Sequence, residues 1–361
     1  MGTRDKSCFI ENELKKQIAA GEYSTGEALP SETILARKYN VSRMTLRKAL
    51  KRLKDTGFID SFRGAGNFIK TRIRDNIAII ASAPYLYSEQ GFFYLKLMET
   101  AQRLIEKDGF HSSIHLGNDT NYRDSESFLD FLGTAALDSC AGIISMATGT
   151  RSEGRTLQSL GFPAVTHSIE VPTLDNCVVL DYGAFIDKAL EVFRKNGVSR
   201  FACMHWEFPG KHLVPGYAHY ALDQLLKSKL GPGVELVPIP YSSDAGDSYE
   251  IFKKFWKTPR HPRHILFTDD AFCAHACGAI KELGIKVPEE LEIITHGNKG
   301  RRFDNPVPMT VIGFDPEEVM NVEWETLKDL IEKKQTVNGR ILRLPPRLLD
   351  NSAMPDTNHL Y

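Results

Sequence analysis

From Asn76 onward the chain alternates short apolar runs with amphipathic stretches of helical spacing, and this alternation limits the possible folds more than any other feature. Strands are expected over 77–81, 111–116, 142–145, 164–166, 178–180, 200–204, 234–237, 264–267 and 292–295. Helices are expected between them over 92–108, 125–136, 151–160, 184–196, 217–226, 249–256 and 271–283, with Gly109, Gly161, Gly197 and Gly284 as stops. Such a series predicts parallel sheets covered by helices on both faces. About five units precede Val179 and five follow it, so two similar lobes are expected, with the last elements (310–314, 317–333, 341–344) crossing back between them. Ligands bind open α/β sheets at the carboxyl ends of the strands, and two such lobes face to face make a hinged cleft.

The residues before Asn76 follow another pattern and carry another charge. Residues 1–75 hold 16 Lys and Arg against 9 Asp and Glu, a net +7, so a total of -1 leaves -8 on the remainder. A basic small domain on an acidic large one suits a nucleic-acid-binding head on a sensor, although a basic head alone could equally meet RNA or acidic lipid. At 361 residues one small and one large domain are expected, divided as a head over 1–70, a linker over 71–76, a body over 77–352 and a tail over 353–361. No apolar run approaches the roughly 18 to 20 residues that span a membrane, and the first residues, MGTRDKSCFIENELKK, lack the apolar core of a signal peptide. A cytoplasmic protein without membrane partners is expected. Six scattered cysteines fit a reducing compartment. Cys273 and Cys277 share a helix face, but His275 points elsewhere and paired CxxC spacing is absent, so neither metal nor cofactor is expected.

Between Leu29 and Leu53 the head reads as two short helices joined by a tight turn. Ser31 is the expected N-cap of the first, with Glu32 in its first turn and Ile34, Leu35 and Tyr39 on its apolar side. Asn40-Val41 turns the chain, Ser42 caps again, and Leu46, Ala49, Leu50 and Leu53 form a core stripe running to Gly57. This is a helix-turn-helix. Arg43 and Arg47, one turn apart, project together from another face, with Met44 and Thr45 in the same first turn. Arginine forks match guanine edges and phosphates, so Arg43, Met44, Thr45 and Arg47 are the expected DNA readers, and Ser31 with its helix end the expected phosphate holder. Phe58–Phe62, Arg63-Gly-Ala-Gly66 and Asn67–Ile69 read as strand, glycine turn and strand. In this wing Gly64 and Gly66 permit close approach of the tip, and Arg63 is placed to reach the minor groove or a phosphate.

The segments L-P-S-E at Leu29, V-S-R-x-T-L-R-K-A-L at Val41, L-x-x-x-G-F-I at Leu53 and R-G-x-G-x-F-I at Arg63 resemble the GntR family of winged helix-turn-helix regulators. The resemblance covers about Cys8 to Ile69 and implies dimeric binding to a near-palindromic operator in double-stranded DNA. Thr33 departs from it, standing where such proteins often carry a basic residue.

The body, roughly Asn76 to Ser352, resembles the effector domain of the LacI/GalR family, itself similar to periplasmic sugar-binding proteins. The matching segments are Asn76-Ile-Ala-Ile-Ile, Gly161-Phe-Pro-Ala-Val, Asn196-Gly-Val-Ser-Arg-Phe-Ala, Gly216-Tyr-x-x-Tyr-Ala-Leu, the stretch from Asp269-Asp to Lys-Val-Pro288, and Leu344-Pro-Pro-Arg-Leu-Leu. The combination is similar in layout to arabinose-type repressors. The resemblance implies a cleft lined by Ser82, Tyr85, Phe93, Ser145, His167, Asp269 and the loop His296-Gly297-Asn298, where aromatic faces meet sugar C–H faces and polar groups meet hydroxyls. Two sugar-anchoring residues of the family are replaced, an arginine by Leu213 and an aspartate by Gly297, with Trp206, His212 or Asn298 as candidate substitutes.

The expected function is that of a homodimeric transcription regulator, a repressor sooner than an activator, controlled by a small sugar-like effector. The alternative is an effector-independent DNA-binding dimer whose body has lost its ligand. An enzyme is the remaining rival, because some GntR-type heads are fused to aminotransferase-like domains. No cofactor-lysine segment and no G-x-S-x-G nucleophile motif support it.

Overall fold

A computed structural model describes residues 3–19, 22–24, 26–62, 64–70, 74–87, 91–117, 140–146, 162–169, 175–205, 225–239, 245–303, 305–332 and 339–349. The head opens with a helix absent from the expectations above, α1 (Thr3–Ala19), which lays Ile10 and Leu14 against the later helices. Helices α2 (Glu32–Lys38) and α3 (Arg43–Asp55) form the helix-turn-helix, capped by Ser31 and Ser42, whose hydroxyls accept from the amides of Ile34 and Thr45. Asn40 turns the chain at φ 50°, and Gly57 ends α3 at φ 73°, where a side chain would be strained. Leu35, Leu46, Ala49, Leu50, Leu53, Phe58, Ile59 and Ile69 join Ile10 and Leu14 in one core. Ile34, expected on the apolar side of α2, is 56% exposed; the seven-residue helix turns Leu35 and Ala36 inward instead. Strands β1 (Ile59–Phe62) and β2 (Gly66–Ile69) pair antiparallel as the wing.

The body contains two six-stranded sheets. Lobe 1 is built from β3 (Asn76–Ser82), β4 (His111–Gly117), β5 (Cys140–Met146), β6 (Ala164–Ile169), β7 (Cys177–Leu180) and β13 (Ile341–Leu344), in the order β4-β3-β5-β6-β7-β13 and parallel throughout. Every residue of β5 is buried, as a central parallel strand covered on both faces requires. Lobe 2 repeats the order with β8 (Arg200–Met204), β9 (Glu235–Pro238), β10 (His264–Phe267), β11 (Glu292–Asn298), β12 (Thr310–Phe314) and β14 (Arg347–Leu349), as β9-β8-β10-β11-β12-β14. Only β14, which lay outside the expected elements, runs antiparallel to its neighbour.

Helices α4 (Ala83–Leu86) and α5 (Gly91–Lys107) follow β3, and α6 (Tyr182–Lys195) passes from β7 into lobe 2, where it packs on β12. Lobe 2 also holds α7 (Ser248–Trp256) and α8 (Asp270–Glu282). The return is narrower than expected: β12 belongs to lobe 2, whereas α9 (Pro316–Ile331) packs on α5, β5, β6 and β7 of lobe 1 and β13 joins that sheet. The chain therefore passes between lobes three times, after β7, after β12 and between β13 and β14. The expected helices at 125–136 and 151–160, and that at 217–226 up to residue 224, lie outside the described residues, as do linker residues 71–73 and the tail. No helix among the described residues is long and apolar enough to cross a membrane.

Candidate functional site

In the head, the cap of α3 decides which side chains face outward. Ser42 accepts from the Thr45 amide and its hydroxyl lies 2.9 Å from that of Thr45, so Thr45 turns inward and is only 4% exposed. Thr45, expected among the DNA readers, is thus placed inward, where it completes the cap. Met44 stands out at 65% exposed. Arg43 and Arg47 are exposed, and each is tied to the first turn of α2. Arg43 Nη2 donates to Thr33 Oγ1 at 3.1 Å, and Arg47 Nε donates to Glu32 Oε2 at 2.8 Å. The Ser31 hydroxyl is engaged by its own helix, accepting from Ile34 N at 3.4 Å. On the wing, Gly64 occupies the exposed tip at φ 85°, and the Phe62 and Phe68 rings meet edge to face at 5.7 Å. Arg63 lies outside the described residues.

In the body, two contacts bring the carboxyl ends of the sheets together. Tyr182, just after β7, bonds through its hydroxyl to His296 Nε2 of β11 at 3.0 Å and stacks on that ring at 4.9 Å. Phe92, in the first turn of α5, reaches Gly300 beyond β11, where an added Cβ would stand 3.3 Å from the Phe92 Cζ. The neighbouring Phe93, expected to line the cleft, is packed into lobe 1 instead, at 7% exposed, because helical rotation turns it towards β6.

Phe93 meets His167, also expected at the cleft but turned into the same core; Tyr94 lies against that imidazole as well, both ring centroids standing at 5.9 Å from it. Behind them, His167 Nδ1 pairs with Glu323 Oε1 of α9 at 2.9 Å, with side chains 5% and 0% exposed. Among the described residues, His167 Nε2 and Glu323 Oε2 have no hydrogen-bond partner. Ser145 is buried on β5. Ser82 closes β3 and Tyr85 sits in α4, both at the carboxyl end of the lobe 1 sheet.

Lobe 2 presents a carboxylate cluster at the end of β10. Asp269 caps α8, its Oδ1 accepting from Ala271 N at 2.8 Å. Asp270 receives Arg301 Nη1 at 2.9 Å and Asn298 Nδ2 at 3.4 Å, which ties the loop after β11 to the start of α8. Burial and the adjacent Asp269 charge push the Asp270 carboxyl up to about 7, opposed by Arg301 and Asn298. Asn298 therefore has a structural bond as well as a place at the strand end. Gly297 pairs with Gly313 of β12, and a Cβ on it would stand 2.5 Å from Val311 Cγ1. Any side chain at this position would require Val311 to shift. Trp206, His212 and Leu213 lie outside the described residues.

Sequence reasoning missed Glu323, Asp270 and Arg301. Glu323 carried a signal, since Val319, Met320, Trp324 and Leu327 share its helix face and all are buried. Cys273 and Cys277 are buried, and burial together with the Cys277 thiol pushes the Cys273 thiol well above its ordinary value. Among the described residues no group of three or more metal-ligating side chains occurs.

Residues 6–69 match the bacterial regulatory proteins of the gntR family, and residues 190–351 match the periplasmic binding protein-like domain. Over 70 residues, 19% of this chain, the sequence is 39% identical to the mannosyl-D-glycerate transport/metabolism system repressor MngR of Escherichia coli, and spans only 29% of that protein. It is 23% identical to the arabinose metabolism transcriptional repressor of Halalkalibacterium halodurans, over 84% of this chain and 83% of that one. The lactose repressor bound to the anti-inducer ONPF superposes with a TM-score of 0.62 at 14% identity, covering 78% of this chain and 100% of that one, a likeness of fold. The chain thus joins a helix-turn-helix head of the gntR family to a periplasmic-binding-protein-like body with the fold of LacI-family regulators.

Proposed function

We propose that the protein is a transcriptional repressor which binds a near-palindromic operator as a homodimer and is controlled by a small polyhydroxylated effector held between its two lobes. The observation that carries the reading is the pair Arg43 and Arg47, set one turn apart on the exposed face of α3 in a basic head, above a body whose lobes meet at the carboxyl ends of both sheets. The long relative is a repressor of arabinose metabolism, which supports a sugar or sugar derivative as effector. Regulation, not catalysis, is the proposed activity, and the cytoplasm its place.

The head extends over 1–70, with 71–76 as linker, 77–352 as body and 353–361 as tail. Arg43, Met44, Arg47 and the wing tip at Arg63 and Gly64 face the duplex, with Ser31 near a phosphate. In the cleft, Ser82, Tyr85, Asp269 and Asn298 face the effector together with Trp206 and His212, backed by the buried Ser145, Phe93 and His167. Closing the cleft shifts the two heads and couples effector to operator by a free energy of about 1 to 3 kcal/mol.

The test is capture of genomic fragments by the purified chain at two salt concentrations, then titration of the best fragment with a panel of sugars. A near-palindromic site with steep salt dependence, released or tightened by one sugar, is expected. Failure to retain any specific fragment at low salt contradicts the assignment of the head.

A further inference from the structure

The first turn of α2 does more than begin a helix. Its first two residues each hold one arginine of α3: Glu32 takes Arg47 Nε at 2.8 Å, and Thr33 takes Arg43 Nη2 at 3.1 Å. The partners are consecutive on α2 and one turn apart on α3, so the two contacts form a ladder between the helices. Arg47 is 61% exposed and Glu32 33%, and an ion pair so open to water adds little to stability. Its consequence lies in orientation and charge.

Arginine carries five N–H donors in a fixed planar fork. With Nε of Arg47 engaged by Glu32, both terminal amino groups stay available, and their parallel N–H bonds match the O6 and N7 acceptors of guanine. Glu32 also counters the Arg47 charge. A guanidinium already paired gains less from a phosphate, which every DNA sequence offers alike, while the geometric match to a base edge is retained.

We propose that Glu32 and Thr33 are positioning residues that hold Arg47 and Arg43 in register for the operator, and that Glu32 sets specificity by withholding Arg47 from indiscriminate phosphate contact. This rests on the reading of α3 as the operator-reading helix.

The experiment measures binding of the full chain to its captured operator and to a scrambled duplex of equal length, at two salt concentrations. The variants are Glu32→Gln, Glu32→Asp, Arg47→Ala and the double variant Glu32→Gln/Arg47→Ala. Glu32→Gln is expected to lower the operator preference about fivefold, mainly because scrambled DNA binds more tightly, with a salt slope steeper by about 0.9. Glu32→Asp keeps a negative charge at the helix start but shortens the reach, so it should follow Glu32→Gln. In the Arg47→Ala background, Glu32→Gln should change nothing further.

The proposal is overturned if Glu32→Asp behaves as wild type, since charge at the helix end would then suffice. It is equally overturned if Glu32→Gln leaves the preference unchanged, or keeps its full effect without Arg47, which would mean that Glu32 meets the duplex itself. If Arg47→Ala leaves operator binding intact, the reading of α3 beneath the proposal fails too, a result distinct from all of these. Equal thermal midpoints across the variants exclude loss of fold as the source of any change.

Discussion

Lobe 1 and lobe 2 share one strand order but place their buried polar groups differently. In lobe 1, an imidazole and a carboxylate pair deep behind the Phe93 and Tyr94 rings, between β6 and α9. In lobe 2, Asp269, Asp270, Asn298 and Arg301 gather where β10 and β11 end, fastening a loop that touches Phe92 of the other lobe. One scaffold thus buries its polar pair behind aromatic rings in lobe 1 and gathers its polar cluster at the strand ends in lobe 2. The sixth strands differ as well. Only Pro345 and Pro346 separate β13 of lobe 1 from β14 of lobe 2, and the sharp passage leaves β14 antiparallel.

Substitutions that act on one lobe alone test this contrast. The largest effect is expected at Gly313→Ala in lobe 2, where a Cβ would stand 1.6 Å from the backbone oxygen of Gly297. The loss should exceed the roughly 1–3 kcal/mol usual for overpacking and be visible as absent cooperative unfolding of the body. In lobe 1, His167→Ala strips the wholly buried Glu323 of its partner and should cost about 3–5 kcal/mol in denaturant unfolding. A joint replacement by His167→Leu and Glu323→Met should recover much of that loss, because two apolar groups leave nothing unpaired.

A smaller effect separates the lobes by pH. The Asp270 carboxyl is pushed up to about 7 from an ordinary value of 3.8, so the folded state binds this proton more tightly than the unfolded chain. Its contribution to stability is fully present below about pH 4 and is lost as the pH rises towards 7. Subtracting the pH profile of Asp270→Asn from that of the wild type should reveal this decline, and parallel profiles would remove the argument. The smallest effect is expected for Gly142→Ala in lobe 1. Its nearest neighbours, 3.0 and 3.2 Å from an added Cβ, are methyl groups of Leu327 and Ile331 that can turn aside, and thermal unfolding should shift by no more than about 1 kcal/mol.

The head was legible in sequence because its caps, turn and glycine stop sit at fixed spacings around an apolar stripe. Helix α1 escaped because Ile10 and Leu14 are its main apolar anchors within a polar run. The inward turn of Thr45 is not legible in the sequence, because helix position alone places it beside Met44, whereas the Ser42 cap draws it inward. In the body, alternation located nearly every described strand, since buried parallel strands are continuous apolar runs. It could not locate β14, whose three residues are largely exposed. The polar pairings were the hidden part: His167 meets Glu323 across 156 positions, and Arg301 meets Asp270 across 31, distances over which local pattern carries no information.

If the cleft and the operator-binding head communicate, their coupling must be reciprocal. The affinity of the full chain for the sugar that most raises its thermal midpoint should be measured with and without saturating operator, alongside operator affinity with and without that sugar. One shared factor, about 5- to 150-fold, is expected in both directions. A factor of one in both, with each ligand bound tightly, would contradict it and leave a DNA-binding head and a sugar-binding body that merely share a chain.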